Sequence, residues 1–311
     1  MAIVAVAGGT GGIGKSVLEH LQHYGSHHKI FLLGRKTPTE PLPRSPTFLE
    51  FNYADVSSLV TTLQDYAVDT VISTINLETD AGSQSQLNLI AAADKCQTTR
   101  RFIPSKFVSQ LDEDDANSGP GIGGWIPNAR ALKKTSLGYI RISIGFFSDY
   151  WGMSHIKSNL KPFPFFIDVE NGKAMVFDTG QDKFTVTYSE DLARMIVRLL
   201  DAEEKWLPVA FLSGLDISLN EVIASVEEVR GSKIDVTYDS AEKLAKGEVA
   251  LLFPSEEVNE GEFKALLAGV CRMIISGAYV LPDDDRRLSK MFPEIPLTSA
   301  EDVIAKAWTG K

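Results

Sequence analysis

The sequence predicts a doubly wound α/β fold, in which helices cover both faces of a parallel sheet. Two observations predict this fold. The apolar run Ile3–Ala7 is short enough for a buried parallel strand, and a glycine-rich turn and a helical repeat of apolar residues follow it at once. Strand-like and helix-like segments then alternate over the first 107 residues.

The glycine-rich turn, residues 8–14, reads Gly-Gly-Thr-Gly-Gly-Ile-Gly. Gly8, Gly11 and Gly14 recur at every third position. In a dinucleotide site one such glycine permits the tight turn, one lets a diphosphate approach the backbone, and one lets the helix pack on the sheet. The helix start adds unpaired N–H groups and a positive dipole end. This context predicts a dinucleotide site; the alternative is a glycine-rich turn that binds nothing.

The second predicted strand, residues 30–33, ends in Gly34-Arg35-Lys36. An acidic residue at this point would bind the ribose 2′-hydroxyl of NAD, whereas an arginine suits the 2′-phosphate of NADP. Two cations and no acid stand here. The sequence therefore favours NADP(H), the alternative being that Arg35 and Lys36 are solvated loop charges.

Further strands are predicted at residues 48–51, 70–75, 101–104 and 139–144. Helices are predicted at residues 56–66 and 83–95, with Asp55 as a cap of the first of them. Ligands of such sheets bind beyond the carboxyl ends of the strands. Asn76 follows the fourth strand and Ser105, Lys106 and Phe107 follow the fifth, so we expect them on one rim with the glycine turn.

Residues 110–127 carry four acidic residues and four glycines and interrupt this alternation, which indicates a mobile loop or lid over the site. From residue 148 onward aromatic residues become dense. They suit either an apolar substrate pocket or an ordinary subdomain core, and the sequence leaves both open. Two capping boxes, Ser218 with Glu221 and Thr298 with Glu301, predict later helix starts.

Composition excludes some classes of partner. The net charge of −10 disfavours nucleic acid and anionic membranes, and no apolar run approaches the ~20 residues of a membrane span. The fold is predicted to begin at residue 3, so we expect no targeting peptide and a cytoplasmic protein. Cys96 and Cys271 are predicted to be core thiols. His20 and His23 are predicted to lie on a solvated helix face, and no metal site is expected.

Three motifs carry a resemblance to a known family. They are residues 8–14, the run Arg-Phe-Ile-Pro-Ser-Lys-Phe at 101–107, and Gly-Phe-Phe at 145–147 with Asp-Tyr-Trp-Gly at 149–152. The chain resembles, over nearly its whole length, the NmrA-like and isoflavone-reductase-like atypical short-chain dehydrogenases, and most of all their fungal members.

The resemblance implies a Rossmann NADP-binding domain at residues 1–150, to which residues 184–212 return. Residues 151–183 and 213–311 would form a smaller substrate-binding subdomain. It also implies an NADP(H)-dependent reductase of an aromatic or polyketide-like molecule in fungal secondary metabolism. By position, the diphosphate would be held by Gly8, Thr10, Gly11, Gly12 and Ile13. Arg35 and Lys36 would meet the 2′-phosphate, Asn76 would lie along the cofactor, and Ser105, Lys106 and Phe107 would lie near the nicotinamide.

One departure concerns catalysis. Reductases of this group place a lysine at the start of the helix after the fifth-strand loop, but residues 124–130 contain none. The remaining candidates for the proton donor are, in order, Lys106, Ser105, Lys133 and Tyr150. Phe146, Phe147 and Trp151 are the candidate substrate pocket. Two alternatives stay open: an NADP-sensing regulator that acts through a protein partner without turnover, and a non-redox isomerase, cyclase or dehydratase.

Overall fold

The computed structural model describes residues 1–38, 46–110, 124–163, 165–203, 205–252 and 259–311. The strands are β1 (Ile3–Ala7), β2 (Lys29–Gly34), β3 (Thr47–Glu50), β4 (Thr70–Ser73), β5 (Arg101–Ile103), β6 (Gly138–Tyr139), β7 (Arg141–Ser143), β8 (Phe146–Phe147), β9 (Ile167–Asp168), β10 (Lys173–Phe177), β11 (Lys183–Thr187), β12 (Val209–Phe211), β13 (Leu215–Ser218) and β14 (Asp235–Asp239). The helices are α1 (Gly12–Tyr24), α2 (Val56–Asp65), α3 (Asp80–Lys95), α4 (Trp125–Leu132), α5 (Ser189–Leu200), α6 (Leu219–Arg230), α7 (Ala241–Ala245), α8 (Glu260–Ile275), α9 (Leu288–Met291) and α10 (Ala300–Trp308), with a 3₁₀ turn at Ser148–Trp151.

A parallel sheet organises the first half of the described chain, with strand order β3-β2-β1-β4-β5-β6. The order reverses between β1 and β4, where Ala7 pairs with Leu33 on one side and with Ser73 on the other. This is the switch point at which ligands of doubly wound sheets bind. The predicted fold class is confirmed.

Strand β1 is buried on both faces, as its continuous apolar run predicts. Val4 and Val6 belong to the core beneath α1 and α5, whereas Ala5 and Ala7 belong to the opposite core beneath α2 and α3. Alternate side chains of one strand thus anchor helices on both sides of the sheet.

The later strands build a second, smaller core. Strand β10 pairs with β9 and β14, and β11 pairs with β8 and β13. Helix α5 then returns to pack on α1, and β12 pairs in parallel with β7. Of the predicted returning segment 184–212, α5 and β12 lie against the first sheet, while β11 lies with the second core.

Two local predictions change. The predicted strand 139–144 is divided at Ile140, because β6 pairs with β5 whereas β7 pairs with β12. The last capping box consists of Ser299 and Asp302 instead of Thr298 and Glu301. The Thr298 N–H donates to Asp191 Oδ2 at 2.5 Å, so this residue serves a tertiary contact.

Other local predictions are confirmed: the Ser218–Glu221 capping box forms, Asp55 caps α2, and both cysteines are buried. The predicted lid at 110–127 falls mostly on residues 111–123, outside the described part of the chain. None of the described helices combines the length and the apolarity needed to cross a membrane.

Candidate functional site

The glycine turn between β1 and α1 is shaped by close packing. Gly8 has φ +79°, in the left-handed region that favours glycine, and a Cβ there would lie 2.8 Å from the Thr74 carbonyl carbon. Gly14 faces the Gly8 carbonyl oxygen and the Thr74 hydroxyl so closely that it leaves no room for a side chain. The Thr74 hydroxyl in turn donates to the Ala7 carbonyl oxygen at 2.8 Å. These contacts hold the start of α1 directly against β1 and the end of β4.

Gly11 differs from its neighbours because nothing lies within 4 Å of the position that a Cβ would take. It is also the N-cap of α1, where no side chain caps the helix and no acidic residue stands in the first turn. The N–H groups and the positive dipole end of α1 therefore have no side-chain cap. This bare backbone fits an anionic group such as a diphosphate. Thr10 is exposed and Ile13 half-buried beside it.

Arg35 and Lys36 follow β2 directly and are exposed on the same rim as the glycine turn. Tyr53 lies nearby: burial raises the pKa of its phenol, while the positive charge of Arg35 lowers it. The cations thus stand beyond the strand next to β1, over the half of the sheet formed by β1 to β3. In doubly wound folds each half of the sheet takes one nucleotide.

Beyond β4 and β5 lie the other predicted contacts. Asn76 is exposed and its amide donates to Glu78 Oε2 at 3.2 Å, while the Glu78 N–H donates to Asn76 Oδ1 at 2.8 Å. The Ser105 N–H donates to Gln86 Oε1 at 2.8 Å. Phe107 is half-buried against the core under the sheet.

Lys106 is buried, and its ammonium is engaged inside the loop that follows β5. It donates to Ser143 Oγ at 2.7 Å and to the Ser109 carbonyl oxygen at 3.0 Å. These bonds tie the loop to β7. The geometry gives Lys106 a structural role in this state.

Lys133, another predicted proton donor, is exposed at the C-terminal end of α4. The helix has eight residues, which at ~1.5 Å rise each separate its two ends by about 12 Å. Its first turn lies close to the rim, since Gly124 packs against the Leu77 carbonyl oxygen. Lys133 therefore lies at the opposite end of α4 from the residues that contact the rim.

Tyr150 is half-buried near the β4 end of the rim. Burial raises the pKa of its phenol, and the charges of Asp149 and Glu78 raise it further, to about 12. Glu78 is the residue that hydrogen-bonds Asn76. Tyr150 thus lies within electrostatic reach of Glu78, which follows β4, and its phenol is neutral at neutral pH.

An aromatic wall stands next to Tyr150. We define it as Phe146, Phe147, Tyr150, Phe163, Phe165 and Tyr279. The Phe146 and Tyr279 rings stack with centroids 4.4 Å apart, and Phe146 and Phe165 are also 4.4 Å apart. Tyr150 joins Phe163 at 5.8 Å and Phe147 at 6.5 Å. Phe165 and Tyr279 are buried in the second core, whereas Phe146, Phe147 and Tyr150 are half-buried and Phe163 is exposed, so these four offer the apolar face of the wall.

Sequence reasoning placed Phe146 and Phe147 here but missed Tyr279, which follows α8 far along the chain and has no local motif. The sequence predicts Trp151 in the substrate pocket, but the structure places it elsewhere. It is fully buried in the second core, and its indole N–H donates to the Phe165 carbonyl oxygen at 2.9 Å. It supports the wall from behind and offers no surface to a ligand.

A small, mostly apolar cavity of about 10 Å³ lies behind Ser105, between α3 and α4. Two buried atoms facing this region, Gln86 Nε2 and Asn128 Oδ1, have no hydrogen-bond partner in the described chain. The Asn128 amide nitrogen donates to Ser83 Oγ at 3.0 Å and to the Gly124 carbonyl oxygen at 2.7 Å. The space and the two polar atoms suit one water molecule. An asparagine in the first turn of α4 thus occupies the stretch that lacks a lysine.

One group of histidines in the described chain is poorly suited to bind a metal ion. His27, His28 and Asp201 bring three potential ligand atoms together. However, His28 Nδ1 accepts the Ala2 N–H at 3.1 Å, which leaves Nε2 of a neutral ring protonated and unable to ligate. His20 is buried and pairs with Glu190 Oε2 at 3.1 Å, so its predicted place on a solvated face is wrong.

Comparison with known proteins identifies a family. The model of the NmrA-like family matches residues 2–262. Oxidoreductase swnN of Metarhizium robertsii is 29% identical over 100% of this chain and 98% of its own length. Oxidoreductase BOA1 of Botryotinia fuckeliana is 30% identical over 75% of this chain and 77% of its own length.

A solved structure has the same fold. AtPrR2, determined with NADP⁺ and (+)-pinoresinol, superposes with a TM-score of 0.75 at 18% identity, covering 97% of each chain.

Proposed function

Because the chain belongs to the NmrA-like family, we propose that it is an NADP(H)-dependent reductase of an aromatic or polyketide-like small molecule. One observation carries the proposal: an open glycine turn and an aromatic wall share a single rim of the sheet. The two fungal relatives named oxidoreductases, and the NADP⁺ and pinoresinol of the related structure, support it. A cytoplasmic location and a role in secondary metabolism stay predictions.

The residues present fit NADP(H). The N–H groups around Gly11 and Gly12 bind the diphosphate, and Arg35 with Lys36 binds the 2′-phosphate, for which no acidic competitor stands at the end of β2. Asn76, Ser105 and the aromatic wall, beyond β4 to β6, would hold the nicotinamide half. When bound, NADPH supplies a hydride.

The aromatic wall indicates the class of substrate that binds. A flat unsaturated ring gains both apolar burial and edge or stacked contacts there, and it excludes water from the reacting carbon. The related structure contains (+)-pinoresinol together with NADP⁺. An aromatic substrate orients its reacting carbon toward the nicotinamide side of the rim.

Tyr150 is the proton donor in this proposal. Its pKa of about 12 keeps the hydroxyl protonated at neutral pH, so it can donate to the substrate oxygen on which negative charge develops. Lys106 is committed to Ser143 and Ser109, and Lys133 lies at the far end of α4. We place Ser105 beside the nicotinamide and rank it below Tyr150 as a proton donor.

One observation favours the alternative of a cofactor sensor without turnover. Asn128 occupies the first turn of α4, in the stretch where reductases of this group carry their lysine. A regulator of this kind would bind NADP(H) and a protein partner, and would consume no reductant.

The deciding experiment is a calorimetric titration with NADPH and, separately, NADH, followed by a screen of phenolic and polyketide substrates for loss of the reduced-nicotinamide absorbance. We expect micromolar NADPH binding, weaker NADH binding and substrate-dependent oxidation. Binding without oxidation of NADPH by any compound would favour the sensor. Absence of binding would leave only a non-redox enzyme.

Replacing Tyr150 tests the proton donor. Tyr150→Phe should lower kcat by about 100-fold or more, because a positioned general acid contributes ~10²–10⁴-fold. The dissociation constant of NADPH should not change. Lys106→Met is the comparison: a selective fall of kcat in this variant, with Tyr150→Phe fully active, would transfer the role to Lys106.

A further inference from the structure

The segment of residues 157–161, which we call the strap, crosses from the second core onto α1. Its first residue, Lys157, forms an ion pair with Glu19 of α1 at 3.1 Å and a second one with Glu190 of α5. The Tyr188 hydroxyl donates to the Lys157 carbonyl oxygen at 2.5 Å. The strap is therefore fixed at this end by both helices.

From Lys157 the strap runs toward the N-terminus of α1. The Asn159 amide donates to Ser16 Oγ at 3.0 Å. The Leu160 Cδ2 atom lies 3.6 Å from the position of a Cβ on Gly12. Positions 12, 16 and 19 of α1 recur at helical spacing and share one face, so the strap follows that face to the glycine turn.

The next residue, Lys161, is exposed. Its side chain makes no hydrogen bond or ion pair within the part of the chain that the structure describes. The side chain of the preceding residue, Leu160, reaches toward Gly12, so the flexible four-carbon stem of Lys161 starts one residue away from the glycine turn's nearest neighbour in the strap. No acidic residue in the first turn of α1 competes for its ammonium.

We infer that Lys161 binds the diphosphate of the dinucleotide, as a cation that the second core delivers to the glycine turn. This inference rests on the proposed function. The chain has a net charge of −10 and must bind a ligand whose diphosphate carries two negative charges, so a local cation offsets repulsion at that point. The backbone of the turn supplies the hydrogen bonds and Lys161 supplies the charge.

The inference separates two cation sites. Lys161 binds the diphosphate, which NADPH and NADH share. Arg35 binds the 2′-phosphate, which only NADPH has. Lys161→Ala should therefore weaken both dinucleotides by the same factor, about tenfold, the size expected for one charge-assisted contact. Arg35→Ala should weaken NADPH and leave NADH within about twofold.

Calorimetric titration of the full-length variants tests this. Lys161→Arg keeps the charge and should bind NADPH within about twofold of the parent. Lys173→Ala, which removes the same charge at the start of β10 in the second core, is the matched control and should bind like the parent. Added salt should narrow the difference between Lys161→Ala and the parent, because it screens exposed charges.

Three results would overturn the inference: NADPH affinity of Lys161→Ala within twofold of the parent, an equal loss in Lys173→Ala, or a loss confined to NADPH. If the parent binds NADPH and Lys161→Ala binds equally well, only the role of Lys161 fails. If the parent binds neither dinucleotide, the proposed function fails with it.

Discussion

At the scale of single residues, the glycines of the turn between β1 and α1 divide into two kinds. Gly8 and Gly14 are glycines because backbone and side-chain atoms of Thr74 leave no room for a Cβ. Gly11 has open space around it and an extended backbone, φ −130°, that any residue can adopt. Its lack of a side chain therefore serves a ligand and not the fold.

This difference predicts opposite effects of two substitutions. Gly11→Val should abolish NADPH binding, because the added side chain occupies the ligand space, and should lower the free energy of unfolding by no more than about 1 kcal/mol, the cost of a poor N-cap residue. Gly14→Ala should lower the free energy of unfolding by about 1–3 kcal/mol, the usual cost of overpacking. Calorimetric titration and urea denaturation measure the two quantities. Normal NADPH affinity in Gly11→Val would contradict the assignment of the turn.

At the scale of elements, the contact between α1 and α5 contains a buried ion-pair cluster. Glu190, at the start of α5, accepts from His20 of α1 at 3.1 Å and pairs with Lys157 of the strap. Burial alone would raise the pKa of Glu190, but the hydrogen bonds from His20 and Lys157 outweigh it and hold the pKa at about 2. One carboxylate thus joins the cofactor helix, the returning helix and the strap.

The depressed pKa predicts how stability depends on pH. The folded-state pKa of Glu190 is about 2 and its ordinary value is 4.5, so its stabilisation is complete above pH 4.5 and is lost as the pH falls toward 2. Glu190→Gln should lower the free energy of unfolding by about 1–3 kcal/mol at pH 7, since the hydrogen bonds of a charged group are lost. The difference from the parent should shrink below pH 4.5.

Urea denaturation at several pH values between 7 and 3 tests this expectation. His20, Lys157 and Glu19 also face Glu190 and contribute to the curve of the parent, so the comparison is made as a difference between variants. Glu301→Gln, on the exposed side of α10, makes the same change of charge away from the cluster. A difference that does not depend on pH would contradict the role of the Glu190 carboxylate.

At the scale of the whole molecule, the turn after α8 joins the second core to the rim of the first sheet. The Thr185 N–H of β11 donates to the Tyr279 carbonyl oxygen at 2.9 Å, and the Tyr279 ring stacks on Phe146 at 4.4 Å. Burial raises the pKa of the Tyr279 phenol, and the nearby Ser109 side chain, in the loop after β5, lowers it. Tyr279 therefore positions the aromatic wall against the nicotinamide half of the rim.

Two substitutions of Tyr279 separate its ring from its hydroxyl. Tyr279→Ala should lower the free energy of unfolding by about 3–5 kcal/mol, because it leaves a cavity beside Phe146. Tyr279→Phe keeps the stacked ring and should cost no more than about 1 kcal/mol, the usual worth of one polar contact such as that of the hydroxyl with Ser109. Urea denaturation measures both, and equal losses in the two variants would show that the stack contributes nothing.

The sequence by itself determined the parts of this protein that depend on local pattern. A continuous apolar run fixes β1 as buried on both faces, and the glycine spacing fixes the turn before α1, because backbone conformation and helix–sheet packing are set within a few residues. The alternation of strands and helices then predicts a doubly wound parallel sheet. The role of the two cations after β2, Arg35 and Lys36, is likewise predicted from the local sequence.

Only the tertiary structure decided which side chains meet at the site. Lys106 is buried against Ser143, Trp151 supports the aromatic wall from the core, and His20 is paired with Glu190. Tyr279 and the strap reach the rim from distant parts of the chain. No local period encodes these contacts, since they arise from how the second core docks on the first sheet, where burial and charge pairing choose the partners.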